Sequence, residues 1–397
     1  MAIDEVRGAA PETFARQRLT WATYGFASYF AYLQTVLGPL MPMLRAERGL
    51  GYTVASLHFS AFALGNVGAG LVGDRALRRW GRRAGLWGGA LGMAAGALLF
   101  VTSPTTVGSV LGTLVMGSFG AVLIFTIQAV LTDFHGRYGP VAITESTVAA
   151  SACAIGATMA VGASAALGLG WRGAILPPLA LLAGLWFFMR GEGPGQMSEA
   201  PVGPTRSSTR LLPARFWILW GVLFLGVAAE WSVAYWGADF LVTGPGMDPA
   251  AAATALSALF VAMLIGRVVA SRLARAVPTP RLLLLSLGVA LAGFPIFWLS
   301  ESTAVSLIGL VALGLGLGNV YPLATAAGVA SAGGSSEVAA ARLGIAGGGA
   351  VLLAPLILGG IADRVGIEAA LGVIVPLLVV AALLAWLSSR APRAQRS

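Results

Sequence analysis

The sequence predicts an all-α membrane protein: twelve transmembrane helices arranged as two pseudo-symmetric six-helix bundles. Three observations carry that prediction. Of 397 residues, 57% are hydrophobic and only 10% charged, too apolar for a water-soluble chain. Stretches without a charged side chain repeatedly reach the roughly 17 to 25 residues that a helix needs to cross hydrocarbon. A single polar segment, residues 190–214, divides those stretches six and six.

The spans follow from charge-free windows, because an unpaired charge at mid-bilayer costs several kcal/mol while Gly and Pro are tolerated there. Span 1 covers residues 19–44 and span 2 residues 49–73. The window 84–132 holds two helices, with Ser103-Pro104 as the turn between spans 3 and 4. Span 5 runs over 141–168 with Glu145 near its start, and span 6 over 173–189. Span 7 covers 215–241 around Glu230, and span 8 covers 250–271 around Arg267. Spans 9 to 12 occupy 282–300, 303–327, 340–362 and 367–389. The first apolar run is too long for a signal-peptide core and is expected to be retained.

The segment 190–214 is rich in Gly, Pro and Ser and has too little apolar area to fold by itself. It reads as a linker between an N-terminal bundle (1–189) and a C-terminal bundle (215–397). All 25 basic residues are Arg, and basic residues in short loops stay cytoplasmic. With the N terminus inside, 20 arginines fall on that side, four outside and Arg267 within a span. Both termini and the linker are therefore expected in the cytoplasm. The +9 net charge thus reports topology, and no nucleic-acid partner is expected. Similar features recur about half a chain apart, Arg75 with Arg272 and Arg172 with Arg364, as an internal duplication requires.

The stretch Gly70-Leu-Val-Gly-Asp74-Arg75 followed by Gly81-Arg82-Arg83 resembles the loop between spans 2 and 3 of the major facilitator superfamily. It carries an insertion of about one helical turn. Pro355 to Gly366, with Gly359-Gly360 and Asp363-Arg364, looks like the corresponding signature of the second half. Span 7 from Gly226 to Trp236, together with Gly266-Arg267, resembles the fucose-permease-like sugar symporter branch. Span 5 lacks the Gly-Pro pair of the family's drug-proton antiporters, since Ile155 to Gly162 contains no proline. The resemblance implies a secondary transporter with substrate held between spans 1, 4, 7 and 10.

The residues themselves narrow the chemistry. Glu230 lies about fifteen residues into span 7, near the midplane at ~1.5 Å per residue, and is read as that helix's solitary acid. A carboxyl there must be paired, protonated or solvated by a cavity, so it is the candidate for proton coupling. The polar and aromatic side chains of spans 1, 4, 7 and 10 supply candidate substrate contacts: Tyr24, Tyr29, Tyr32, Gln34, Gln128, Trp231, Tyr235, Trp236, Asn319 and Tyr321. Aromatic faces with a few amides suit a neutral, sugar-like solute, and no basic residue is placed at mid-depth. Glu145 and Arg267 lie at similar depth near the cytoplasmic side. The resemblance sets their spans against each other, so they are expected to pair as a cytoplasmic gate. By the same logic Asp74 and Arg342 form its symmetry mate. His58, alone in span 2, is expected to be a satisfied packing residue.

With two His and one Cys, Cys153, in the chain, no metal site or cofactor is expected. No Walker A loop is present, and no clustered nucleophile, base and metal ligands mark an enzyme. Two nonidentical halves also argue against a pore-forming ring. The expected function is proton-coupled symport of a small neutral solute by a monomer in the cytoplasmic membrane, with protons and membrane lipid as its other partners. Export of amphipathic drug-like compounds is the alternative.

Overall fold

The computed structural model describes residues 14–70, 73–190, 212–333 and 335–390, without the side chains of 70, 73–80 and 337. Among the described residues every regular element is helical. The first half contains α1 (Arg18–Thr35), α2 (Leu37–Arg48), α3 (Tyr52–Gly70), α4 (Gly73–Thr102), α5 (Thr106–His135), α6 (Gly139–Ala166) and α7 (Leu176–Met189). The second contains α8 (Ala214–Thr243), α9 (Pro249–Ala255), α10 (Ser257–Leu273), α11 (Thr279–Leu299), α12 (Thr303–Leu317), α13 (Val320–Ala330), α14 (Ser336–Val365), α15 (Ile367–Leu371) and α16 (Ile374–Arg390).

Nine stretches of the described residues are long and apolar enough to cross a membrane. One of them, Thr106–Ala166, is 61 residues long and holds both α5 and α6. With α1 and α2 taken together, and with α3, the described helices are consistent with the twelve traverses that the charge-free windows predict. Nearly all of the expected linker falls in residues 191–211, outside the described residues.

Several traverses are broken where the sequence forbids a continuous ladder. Proline has no N–H, and its ring crowds the carbonyl four residues earlier. Pro39 therefore withholds a bond from Thr35, where α1 gives way to α2. Pro322 likewise withholds one from Gly318, and the traverse breaks there between α12 and α13. At the start of α4, Gly81 takes φ 75°, a left-handed conformation that glycine adopts without a Cβ penalty. The adjacent Arg82 pairs with Asp133 at the end of α5.

Within the first half α4 and α3 pack on α5, and α1 packs on α6 and α7; within the second, α14 and α16 pack on α8, and α12 joins α10 to α11. Across the halves α3 meets α14, α6 meets α9 and α10, and α2 meets α8. One buried core runs through both halves, with Phe26, Phe59, Phe62, Tyr235, Trp236 and Phe240 among its largest fully buried side chains. The membrane-facing perimeter carries exposed Leu, Val, Ile and Phe side chains such as Leu98, Ile265, Ile308 and Leu383, as lipid contact requires.

Candidate transport site

The site is organised by one stripe of α8. Side chains four residues apart share a helix face. Gly226 packs against Val320 of α13, and eight residues on Ala234 backs onto Gly38 of α2. Glu230 lies midway between these two contacts, one to α13 of its own half and one to α2 of the other. It is partly buried, and its carboxyl has no hydrogen bond or ion pair among the described residues. The charge that reaches it is Arg267, and Tyr321 lies within its own field.

Arg267 is the residue whose placement differs most from expectation. The Nε–H donates to Gly318 O at 3.0 Å, and Nη1 donates more weakly to Ser151 Oγ at 3.4 Å. That carbonyl is the one that Pro322 leaves without an intrahelical donor, so the guanidinium replaces the missing N–H. Arg267 thereby staples the break between α12 and α13, crosses to α6 in the other half and brings positive charge to mid-depth. The expectation of a cavity without a cation at that level is corrected accordingly.

The predicted pairing of Glu145 with Arg267 is absent from this conformation. Glu145 instead accepts a bidentate pair from Arg16, at 2.8 and 2.5 Å, and a 2.9 Å bond from Tyr24. Helix direction explains the divergence. Cα–Cβ bonds lean toward a helix's N terminus, and α6 and α10 run in opposite directions. The two side chains therefore point to opposite ends of the bundle even though their Cα atoms lie at similar depth. The second proposed latch involves Asp74, whose side chain lies outside the described residues; its partner Arg342 is exposed, and its carbonyl accepts from Trp220.

The ten candidate substrate residues divide into two groups. Tyr29 and Tyr32 are buried and donate to the carbonyls of Ala90 and Ala174, and buried Trp236 donates to Pro355 O. Asn319 donates to Leu315 O, and Tyr24 is held by Glu145. These five are committed to protein partners. Tyr235 is buried with its hydroxyl unpartnered; it stacks on Phe59 at 4.1 Å and lies beside Gln34 and Trp231. Gln34 and Trp231 are partly open, while Gln128 and Tyr321 are exposed. With Glu230, these five form the set available to a solute.

Sequence reasoning missed Asp239. It lies within the expected span 7, so Glu230 is not that helix's only acid. Asp239 is 4% exposed and pairs with Arg45 of α2 at 2.5 Å. Arg45 and Asp239 are opposite charges close to the same ends of spans 1 and 7, a signal that was present in the sequence. His58 is the packing residue expected of it, with Nε2 bonded to Ser109 and Nδ1 to Ala55 O.

A bundle of membrane-length helices, with a partly buried acid that has no bonded partner among the described residues, defines a polytopic membrane protein. The comparisons make the family specific. Residues 22–350 match the Major Facilitator Superfamily, and the chain belongs to that family of transporters, which are not enzymes. An uncharacterised MFS-type transporter of Yersinia pestis is 26% identical over 375 residues, 87% of this chain and 89% of that protein. The D-xylose-proton symporter structure superposes with a TM-score of 0.76 at 15% identity, covering 95% of this chain and 98% of that one. The transporter FucP, in its outward conformation, superposes with a TM-score of 0.61 at 18% identity, covering 94% and 99%.

Proposed function

We propose that this transporter carries a small, neutral, sugar-like solute across the cytoplasmic membrane by proton-coupled symport. Residues 1–189 and 215–397 rock as two bodies about a midplane site, with both termini and the linker in the cytoplasm. The observation that carries the reading is Glu230: a partly buried carboxyl within span 7 that has no bonded partner among the described residues. Such a group can take up and release a proton without first breaking a bond, and rocking halves would expose it to each side in turn. Its neighbour Arg267 offsets its charge, which favours an uncharged solute. Gln34, Gln128, Trp231, Tyr235 and Tyr321 supply the amides and aromatic faces that such a solute needs. The similarity to a D-xylose-proton symporter supports the same class.

The test is uptake of labelled D-xylose and a panel of neutral sugars and nucleosides into proteoliposomes, with and without an imposed proton gradient. Gradient-driven accumulation in wild type, lost in Glu230→Gln while downhill exchange persists, is the expected result. Accumulation unaffected by Glu230→Gln would remove the coupling role. No uptake of any panel member, together with export of amphipathic dyes, would replace the reading by the exporter alternative.

A further inference from the structure

Away from the Glu230 site, a cavity of about 590 Å³ opens at the face where α2 and α4 end and α5 begins. Its lining includes Glu47 and Arg48 of α2, Thr102 to Pro104 at the α4–α5 turn, and Arg172. Two membrane-length stretches meet at its rim, Gly81–Thr102 ending there and Thr106–Ala166 beginning there. That places the cavity at the level of lipid headgroups.

Its charges do not cancel. Glu47 accepts two hydrogen bonds from Arg172, at 2.7 and 2.6 Å, and one from Trp171 Nε1 at 2.7 Å. Arg48 has no ion pair among the described residues, so two arginines against one glutamate leave the lining with one excess positive charge. The Arg48 guanidinium is also held in place. Nη1 donates to Ser109 Oγ at 3.1 Å and Nη2 to Ser103 O at 2.8 Å. Neither partner is charged, and only part of the donor capacity of the guanidinium is used. Helix α5 begins two residues beyond Pro104, and its positive end adds to the same potential.

Below the cavity the surface turns apolar. Thr102 donates its hydroxyl to Leu98 O, and Leu91, Ala95, Leu98 and Thr102 are exposed along one face of α4. That stripe runs from the cationic opening into hydrocarbon. A free anion has no use for it, whereas a phospholipid places its phosphate and an acyl chain in that order. Both oxygens of Glu47 already accept hydrogen bonds, so an ammonium headgroup finds no free carboxylate there. A headgroup whose sole charge is its phosphodiester matches the single excess cation, and a guanidinium suits phosphate oxygens.

We propose that this cavity binds the phosphodiester of an anionic phospholipid of the phosphatidylglycerol class, with Arg48 as the principal contact and the Leu91 to Leu98 face of α4 seating an acyl chain. The site uses no residue of the Glu230 site and lies within the first half, so it stands or falls separately from the solute reading.

Native mass spectrometry of the full chain in detergent tests it, with phosphatidylglycerol and phosphatidylethanolamine of identical acyl chains as the probes. The first phosphatidylglycerol is expected to bind wild type roughly tenfold tighter than phosphatidylethanolamine, and Arg48→Gln is expected to remove that preference. Glu47→Gln releases Arg172 toward the cavity and is expected to strengthen phosphatidylglycerol binding, which a merely damaged fold would not do. If Arg48→Gln does not fold, Thr102→Glu sets a carboxylate at the exposed rim and is expected to abolish the preference instead. Equal binding of the two lipids by wild type overturns the site, as does a preference that survives Arg48→Gln or Thr102→Glu. Weaker binding in Glu47→Gln would show a structural loss and overturns it too. Inorganic phosphate in excess is expected to leave the lipid bound; displacement would assign the cavity to free phosphate and overturn the lipid.

Discussion

Replacing Gly38 by alanine tests whether the α2–α8 joint sets the closed state. A Cβ at this position would lie far inside contact distance of the Ala234 carbonyl oxygen and 3.0 Å from Tyr235 Cα. Both neighbours are backbone, so neither can rotate away, and α2 must retreat from α8. Overpacking of this kind costs typically ~1–3 kcal/mol, and here the cost falls on the closed state alone, because parting the halves removes the clash. At about 2 kcal/mol the ratio of open to closed changes roughly 30-fold, taking 1.4 kcal/mol per factor of ten. The assay is modification of Gln34→Cys, in a Cys153→Ser background, by a membrane-impermeant thiol reagent added to the face at which α2 ends. When opening equilibrates faster than labelling, the rate rises by the same factor. Gly68→Ala is the control, since a Cβ there meets nothing within 4 Å. It provides the same gain in helix propensity with no clash. Equal labelling rates in the Gly38 and Gly68 variants would refute the reasoning.

Arg267→Gln should abolish uptake, because it removes both the donor to Gly318 O and the cation near Glu230; Arg267→Lys should keep part of it, and equal loss in both would show that charge is not what matters. Ser109→Ala leaves Nε2 of buried His58 without its partner, a loss of about 1–3 kcal/mol; a lower melting temperature with an unmoved pH profile of uptake is expected, and a moved profile would make His58 part of the proton path. Glu47, in the last turn of α2 and past the expected span 19–44, is held by Arg172 and Trp171. Its hydrogen bonds from Arg172 lower its carboxyl from 4.5 to about 2. A lowered acid contributes stability above its ordinary value and loses it as pH falls toward the folded one. The melting-temperature gap between wild type and Glu47→Gln should therefore hold from pH 7 to 5 and close between 4.5 and 2. The groups are exposed, so 1 M salt should narrow the gap at neutral pH; a gap that widens in acid would contradict the sign.

The fold was legible because the membrane reduces the problem to one variable. Charge cannot remain unpaired in hydrocarbon, so charge-free windows mark the traverses, and the window from Ala84 to Thr132 resolves into two helices at Ser103-Pro104 as expected. The breaks at Val36 and Gly318 were less visible. A proline in a membrane helix is tolerated when a neighbour supplies the missing bond, and that neighbour is identified only in three dimensions. Arg267 is that donor at Gly318, so the same fact accounts for the break and for a charge at mid-depth that counting along span 8 placed nearer the membrane surface.

Glu230 could be singled out from its position along one helix, whereas the Arg45–Asp239 pair and the contact of Asp363 with α3 depend on relations between helices. Asp239 and Asp363 each look misplaced when read on their own strand of sequence, acids at the negative ends of helices. That local inconsistency is the signal a sequence does carry: a charge that its own helix disfavours must be offset by another element. Arg45 and the bare N terminus of α3 are the available counterparts at that depth, and both belong to the other half. The same argument leads to the asymmetry of this conformation. Glu145 and Arg16 lie in one half, whereas Arg45 with Asp239, and Asp363 with the start of α3, join the two halves.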